Sequence, residues 1–438
     1  MNRAFFLCAS ALVVAWTAQS ANWAHWRGPD YNGSSPEKDL PSDFSKTENV
    51  KWSASLPGTS AATAIIYDDR VFISSADEKA RSMRALCLDR KTGKELWNEE
   101  VGPGYNFDDK SNFASPSPVT DGKVVVYLYG NGLLAGFDVT GRRLWFHDLQ
   151  KDYGPFTYQW TYGASPTIYK GKLYIQVLRR DEPVHGRGNS NGQNDSYLLA
   201  LEPATGKELW KYSRPTQAHA ESQEAYSTPI PFFDGGREEI LIAGGDDITG
   251  HDPADGTELW RWGTWNPSRI GHWRLVPSPV SGGGVVLACA PKGSPVYAFK
   301  AGAKGKQDDS VLAWKSSGRE VTSDVATPLF YKSKFYVLKG ESPNTVLSRV
   351  EPATGKIDWS GELGSRIKIE SSPTAADDKI YFQNFRAEVF IASAGDEFKL
   401  LKKIPMGDEG DDMVRSSIAI SQGNLFIRTG HKLYCVGK

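Results

Sequence analysis

The chain has 438 residues, including 43 Gly, 25 Pro and 14 Trp, and its 51 Lys and Arg against 52 Asp and Glu leave a formal charge of −1. Aromatic residues at 12% and charged residues at 24% exclude a disordered or collagen-like chain. The balance of charge excludes a basic nucleic-acid-binding surface.

Residues 1–20 read as an export signal. Arg3 supplies the positive start, Ala4 to Trp16 is a short apolar stretch, and Ala18-Gln19-Ser20 offers small residues for cleavage. The stretch is too short to span a bilayer, and no second apolar run of about 18 residues follows. The mature chain is therefore expected to start near Ala21, to be periplasmic or secreted, and to have no membrane span. Cys8 follows Phe6 and Leu7 rather than the small residues that precede a lipoprotein cysteine, so a lipid anchor is not expected. Cys87, Cys289 and Cys435 each lie in an apolar segment and read as small buried hydrophobes, not as a disulfide framework. The seven His show no metal-ligand spacing.

From Trp52 onward one pattern recurs: an apolar strand ending in an acidic residue, a turn, a Gly, and a Trp four positions after that Gly. LDRKTGKELW, FDVTGRRLW, LEPATGKELW, HDPADGTELW and VEPATGKIDW carry the pairs Gly93/Trp97, Gly141/Trp145, Gly206/Trp210, Gly256/Trp260 and Gly355/Trp359. Trp314 fits the spacing without the Gly, and EFKLLKK sets Leu401 where the Trp is expected. Upstream of each Trp a Ser or Thr before Pro opens an alternating strand, as in SPTIYKGKLYI and ATPLFYKSKFYV; ATAIIYDDRVFI and SSIAISQGNLFI keep the strand and lose the Pro. These markers count eight units of four short strands, the signature of an antiparallel sheet repeated around an axis.

The last unit stops at HKLYCVGK, with no Trp strand after it, while NVKWSASL near the start is a Trp strand with nothing before it. Joining them seals the ring. The expected fold is all-β, an eight-bladed β-propeller of four-stranded antiparallel sheets spanning residues 21–438 as one domain, the last blade closed by N- and C-terminal strands.

The TGKxLW repeat, eight units with a split last blade, resembles the quinoprotein-type (PQQ-like) β-propeller family over essentially the whole mature chain. In that family the Trp packs between neighbouring blades. The resemblance implies either a PQQ-dependent dehydrogenase, with PQQ and Ca²⁺ as cofactors, or a non-enzymatic member such as the outer-membrane assembly lipoprotein. The sequence lacks the adjacent Cys pair typical of the first and the acylated N-terminal Cys of the second.

The loops between each Trp and the next Ser-Pro marker are rich in aromatic and charged residues, and they build one face of a propeller. Trp160 and Tyr162 lie in the second such loop, Glu221 in the third, and Trp265, His272, Trp273 and Arg274 in the fourth, a set suited to stacking a flat or ring-shaped ligand and fixing it with a few polar groups. Counting back from the marker Pro sets Tyr226, Asp324, Glu370 and Arg415 at the axis, where Glu370 and Arg415 either neutralise one another across the channel or clamp a ligand. Three readings follow. The chain is a monomeric binding module for a glycan, another small ligand or a cell-envelope protein through its aromatic loop face. Alternatively it is a PQQ-dependent oxidoreductase of alcohols or sugars, with Trp160, Trp265 or Trp273 under the quinone and Glu370 or Asp324 as base. The third reading is a cofactor-free carbohydrate-active enzyme using Glu221 and Glu224. The acidic run Asp408, Glu409, Asp411 and Asp412 reads as a solvated loop, and the Gly/Asn-rich insertion after Asp181 as a mobile surface loop.

Overall fold

β-branched and aromatic residues alternating with polar ones between Gly, Asn and Asp turns give strands too short to form a stable sheet alone, so each sheet buries its faces against two neighbours. In the computed structural model, which describes residues 21–438 apart from 107, 234, 235 and 318, they form eight antiparallel sheets in a ring. Blade 1 comprises Ile65–Tyr67, Arg70–Asp77, Ser82–Asp89 and Glu95–Pro103. Blades 2 to 7 follow in chain order within residues 119–148, 167–213, 230–262, 280–315, 329–362 and 374–405. Blade 8 joins Ala419–Ser421, Asn424–Arg428 and Lys432–Gly437 to Val50–Ser55, so the two ends of the propeller close the ring.

In seven of the eight blades the fourth strand is bulged one residue before its Trp. Cys87 pairs with Trp97 but Leu88 pairs with Glu95, leaving Leu96 unpaired, and the same step leaves out Leu144 and Leu209 in the next two blades. The bulge turns these leucines outward, where they are 48%, 37% and 43% exposed. The register also corrects the reading of blade 7: Lys402, not Leu401, lies opposite Ile391 in the position the Trp takes elsewhere, and Leu401 is the bulged residue.

Each turn Gly serves the neighbouring blade. Gly93, Gly141, Gly206, Gly256 and Gly355 all have positive φ, and an added Cβ would lie 2.5 to 2.6 Å from the ring of Trp52, Trp97, Trp145, Trp210 and Trp314 of the preceding blade. The indoles of Trp52, Trp97, Trp145 and Trp314 donate to carbonyls of the same turns, those of Arg90, Val139, Pro203 and Pro352, at 2.6 to 3.2 Å. The turn of blade 5 lacks this Gly, and Trp260 of blade 4 donates instead to Glu239 Oε2 of its own blade at 2.5 Å.

The segment before the first blade crosses the ring at the end opposite the long loops. Trp23 exchanges two backbone hydrogen bonds with Ile66 of blade 1, Thr120 N donates to Ala24 O in blade 2, and Phe330 N and Ala375 N of blades 6 and 7 donate to Asn32 O and Gly33 O. This plug closes the channel. The read export signal, residues 1–20, lies outside the described residues.

Candidate functional site

The Ser or Thr that opens each innermost strand has a second use at the axis. From blade to blade its backbone N–H donates to the hydroxyl of the next counterpart: Thr63 to Ser117, Ser117 to Ser165, Ser165 to Thr228, Thr228 to Ser278, Ser278 to Thr327 and Thr327 to Ser372, while Ser417 N donates to Thr63, at 2.8 to 3.1 Å. The collar satisfies backbone donors that no strand partner could reach, and in six of the eight units the following residue is Pro, which has no N–H to satisfy. The recurring Ser/Thr-Pro pair was legible as a strand start, but its hydroxyl gave no local signal of a collar.

Below the collar, Arg27 of the plug is completely buried and donates to Pro328 O at 2.9 Å and Pro373 O at 3.1 Å. Burial lowers its pKa to about 9, so it stays charged at neutral pH. His25 Nδ1 accepts from Arg27 N at 3.1 Å, so its proton is on Nε2, which donates to Thr167 Oγ1 at 2.9 Å; Thr167 in turn donates to Pro229 O at 2.7 Å. Burial, reinforced by the Arg27 charge, depresses the imidazole pKa to about 3.

Above the collar lies a blind axial cup of about 330 Å³. Its lining includes collar hydroxyls, Trp26 of the plug, Trp160, Tyr226, Arg274, Asp324, Glu370 and Arg415, together with Lys110 and Lys368. Six of the eleven residues singled out from sequence therefore share one cavity. Arg415 Nε meets Glu370 Oε2 at 2.7 Å, its Nη2 donates to Asp109 O at 3.3 Å, and its guanidinium carbon is 4.4 Å from the centre of the Phe385 ring. The pair lines the wall and leaves the cup open. Asp324 accepts from Lys292 N at 2.9 Å.

Trp160 is fixed from behind. Its indole donates to Glu221 Oε1 at 3.2 Å, the same oxygen lies 3.3 Å from Arg274 Nη1, and its backbone N–H donates to the Tyr226 hydroxyl at 3.3 Å. Tyr226 donates to Glu224 Oε2 at 2.6 Å, while Glu224, wholly buried, also accepts from Gln159 N at 2.9 Å and pairs with Arg180. Burial still raises the Glu224 carboxyl above the usual range and holds the Tyr226 phenol well above its own. Lys110 Nζ sits 5.3 Å over the Trp160 ring. Four cations thus line the cup against two carboxylates, and among the described residues neither Lys110 nor Lys368 has a carboxylate partner.

The other sequence candidates lie elsewhere. Tyr162 is 1% exposed and donates to Gln176 O at 2.8 Å inside the blade 2–3 core. Trp265 is 5% exposed, donates to Asp246 O, and packs 5.2 Å from Trp262 and 5.7 Å from Tyr297. Trp273 packs on the same core cluster, His272 is exposed, and Glu221 stands behind Trp160 rather than in the cup. In the acidic run, Asp408 pairs with Lys46 at 2.9 Å and Lys432 at 3.0 Å, and among the described residues no cluster of three or more His, Cys, Asp or Glu could hold a metal. The insertion beginning at Asp181 is largely exposed, with two contacts that anchor it: Arg187 donates to Tyr158 O at 2.5 Å and buried Asn194 to Asp181 O at 2.8 Å. Trp26, Lys110 and Lys368 were missed because they stand outside the repeat and carry no local motif.

The family model for outer membrane protein assembly factor BamB matches residues 44–154, 84–321 and 191–399. The chain belongs to this family. BamB from Moraxella catarrhalis superposes with a TM-score of 0.58 at 14% identity, covering 88% of this chain and 99% of that one. Europium-containing methanol dehydrogenase gives 0.68 at 10% identity, covering 95% and 98%, and the quinohemoprotein alcohol dehydrogenase of Comamonas testosteroni gives 0.64 at 13%, covering 95% and 81%. At these identities the likeness is one of fold. Among curated proteins, tetrathionate hydrolase of Acidithiobacillus ferrooxidans is 25% identical over 179 residues, 37% of this chain and 31% of its own length, so this chain matches under a third of that relative.

Proposed function

We propose that this protein is an exported binding propeller that takes a small anionic ligand in its axial cup. The observation that carries the reading is the lining: among the described residues Lys110 and Lys368 have no carboxylate partner, in a cup closed below by the plug and its buried Arg27. A recessed cavity strengthens such charge interactions relative to an open surface. Trp160 and Trp26 offer ring faces to a flat ligand, and the collar hydroxyls offer donors. The reading moves the ligand from the aromatic loop face to the axis, since Tyr162 and Trp265 are consumed by packing.

A planar polycarboxylated quinone such as PQQ meets the cations and ring faces, but its Ca²⁺ does not. Of the two cup carboxylates, Glu370 is paired with Arg415 and Asp324 is bonded to Lys292 N, and among the described residues no metal-ligand cluster exists. The sugar-cleaving reading loses its carboxylate pair, because Glu224 is wholly buried and bonded by three partners. Tetrathionate, the dianion in the name of one curated relative, belongs in the ligand panel for its charge and size.

The test is a thermal-shift and calorimetric panel of sulfate, tetrathionate, citrate, anionic sugars and PQQ against the mature protein. At least one anion is expected to bind, and the double substitution Lys110→Gln with Lys368→Gln to weaken it roughly tenfold or more, the scale of a lost charge-assisted contact. Absence of binding by every anion, or equal binding to the double variant, overturns the reading. Binding of PQQ alone, with dye reduction on adding an alcohol, would replace it with the oxidoreductase.

A further inference from the structure

Glu37 lies just past the far end of the plug, 8% exposed, and among the described residues no Lys, Arg or His forms an ion pair with it. A buried carboxylate without a cation is costly. Its two oxygens are instead taken by two backbone nitrogens: Oε1 by Ala21 N at 2.6 Å and Oε2 by Gly423 N at 2.7 Å in a tight turn of blade 8. Ala21 is held from its other side as well, its carbonyl accepting from Ser421 Oγ at 2.6 Å, and Asn22 Oδ1 accepts from Asp68 N at 2.8 Å. Independently, Ala18 and Ser20 are the small residues that an export cleavage after Ser20 requires.

We propose that cleavage falls between Ser20 and Ala21, and that the amino group it frees is the missing cation of Glu37. Hydrolysis by a leader protease adds one water across the amide: the hydroxyl goes to the Ser20 carbonyl, which leaves as a carboxylate on the leader, and Ala21 nitrogen takes protons to become an ammonium at neutral pH. The atom that donated as a neutral amide then carries a full positive charge 2.6 Å from Glu37 Oε1. Maturation thereby staples the first residue of the plug to blade 8, two residues before Trp23 begins to pair across the ring. The leader and the staple are mutually exclusive, so the floor of the axial cup is fully anchored only in the processed protein.

The inference rests on the export reading, and two measurements separate their fates. The intact mass of protein recovered after export is expected to be that of residues 21–438; a cut elsewhere overturns the staple and leaves export standing, whereas an uncut chain overturns both. The second measurement is thermal unfolding of the chain starting at Ala21 and of the same chain extended by one Gly, each with Glu37 and with Glu37→Gln. The extension is expected to lower Tm by about 2 °C with Glu37 and to have no effect with Glu37→Gln. An equal drop in both backgrounds, or none in either, overturns the staple. Should Glu37→Gln not fold, N-acetylation of the Ala21 chain makes the same test, because it removes the charge and keeps the carboxylate; an unchanged Tm would then overturn the staple.

Discussion

The loop after blade 2 and the loop after blade 4 look alike in sequence, each a dense run of aromatic residues between a Trp and a Ser-Pro marker. In three dimensions they have opposite fates. Trp262 and Trp265 stand nearly perpendicular, 5.2 Å apart, and are closed over by Tyr297 and Phe299 of blade 5, so they extend the core of that blade pair. Trp160 is held by polar groups, Glu221 and the Tyr226 hydroxyl, and keeps a face toward the cup beneath Lys110. An aromatic residue met by apolar side chains of the next blade is spent on stability. One oriented by hydrogen bonds at the channel stays available to a ligand.

That contrast is broken most directly by truncation. Trp265→Ala should lower stability by about 3–5 kcal/mol, the usual cost of emptying a large aromatic site, and leave anion affinity of the surviving folded protein unchanged. Trp160→Ala should cost about 1 kcal/mol or less and weaken the ligand. Denaturant unfolding and calorimetry on both variants check the pair; a large stability loss at Trp160, or an affinity loss at Trp265, would erase the distinction.

A smaller effect should come from the closed end of the cup. An unfolded histidine binds a proton near pH 6.5, whereas His25 refuses it until about 3, because the folded ring is buried beside Arg27 and its Nδ1 already accepts a hydrogen bond. The unfolded state therefore binds more protons across that window, and stability falls as pH drops from about 6.5 toward 3. His25→Gln should unfold with a shallower decline of Tm between pH 6.5 and pH 4, and parallel curves would remove His25 as the cause.

The fold was legible because its physics is local and repeated. Gly93 and Trp97, or Gly206 and Trp210, keep their offset because a positive-φ turn must present no Cβ to the indole of the blade before it. Tyr226, Glu370 and Arg415 stand two residues before their collar hydroxyl residues and Asp324 three before its own, and all four line the cup, so position in the repeat sets position near the axis. The plug was not legible, since residues 22–35 follow no repeat and pair with strands of blades 1, 2, 6 and 7 that are remote in sequence. Nor could composition separate Trp160 from Trp265, because burial is decided by what the next blade contributes. Leu401 was misplaced by one residue because the blade 7 turn has no Gly at the usual offset to mark the register.

The smallest expected effect is also the one with the least intuitive sign. Glu370 holds Arg415 at 2.7 Å, and the side chains are only 16% and 12% exposed, so the carboxylate offsets one of the four cup cations at close range. Glu370→Gln removes that negative charge while an amide oxygen can still accept from Arg415. The net charge of the lining rises by one, so a bound anion should be held about threefold more tightly, an energy in line with a partly screened charge at the wall. Arg415→Gln should move affinity the other way, and by more, because it removes a cation and leaves Glu370 facing the ligand. Calorimetry at two ionic strengths reads both, and the gain in Glu370→Gln should shrink as salt rises. If the two substitutions weaken binding alike, the pair is a rigid wall element whose geometry matters more than its charge, and the cup is recognising shape rather than anions.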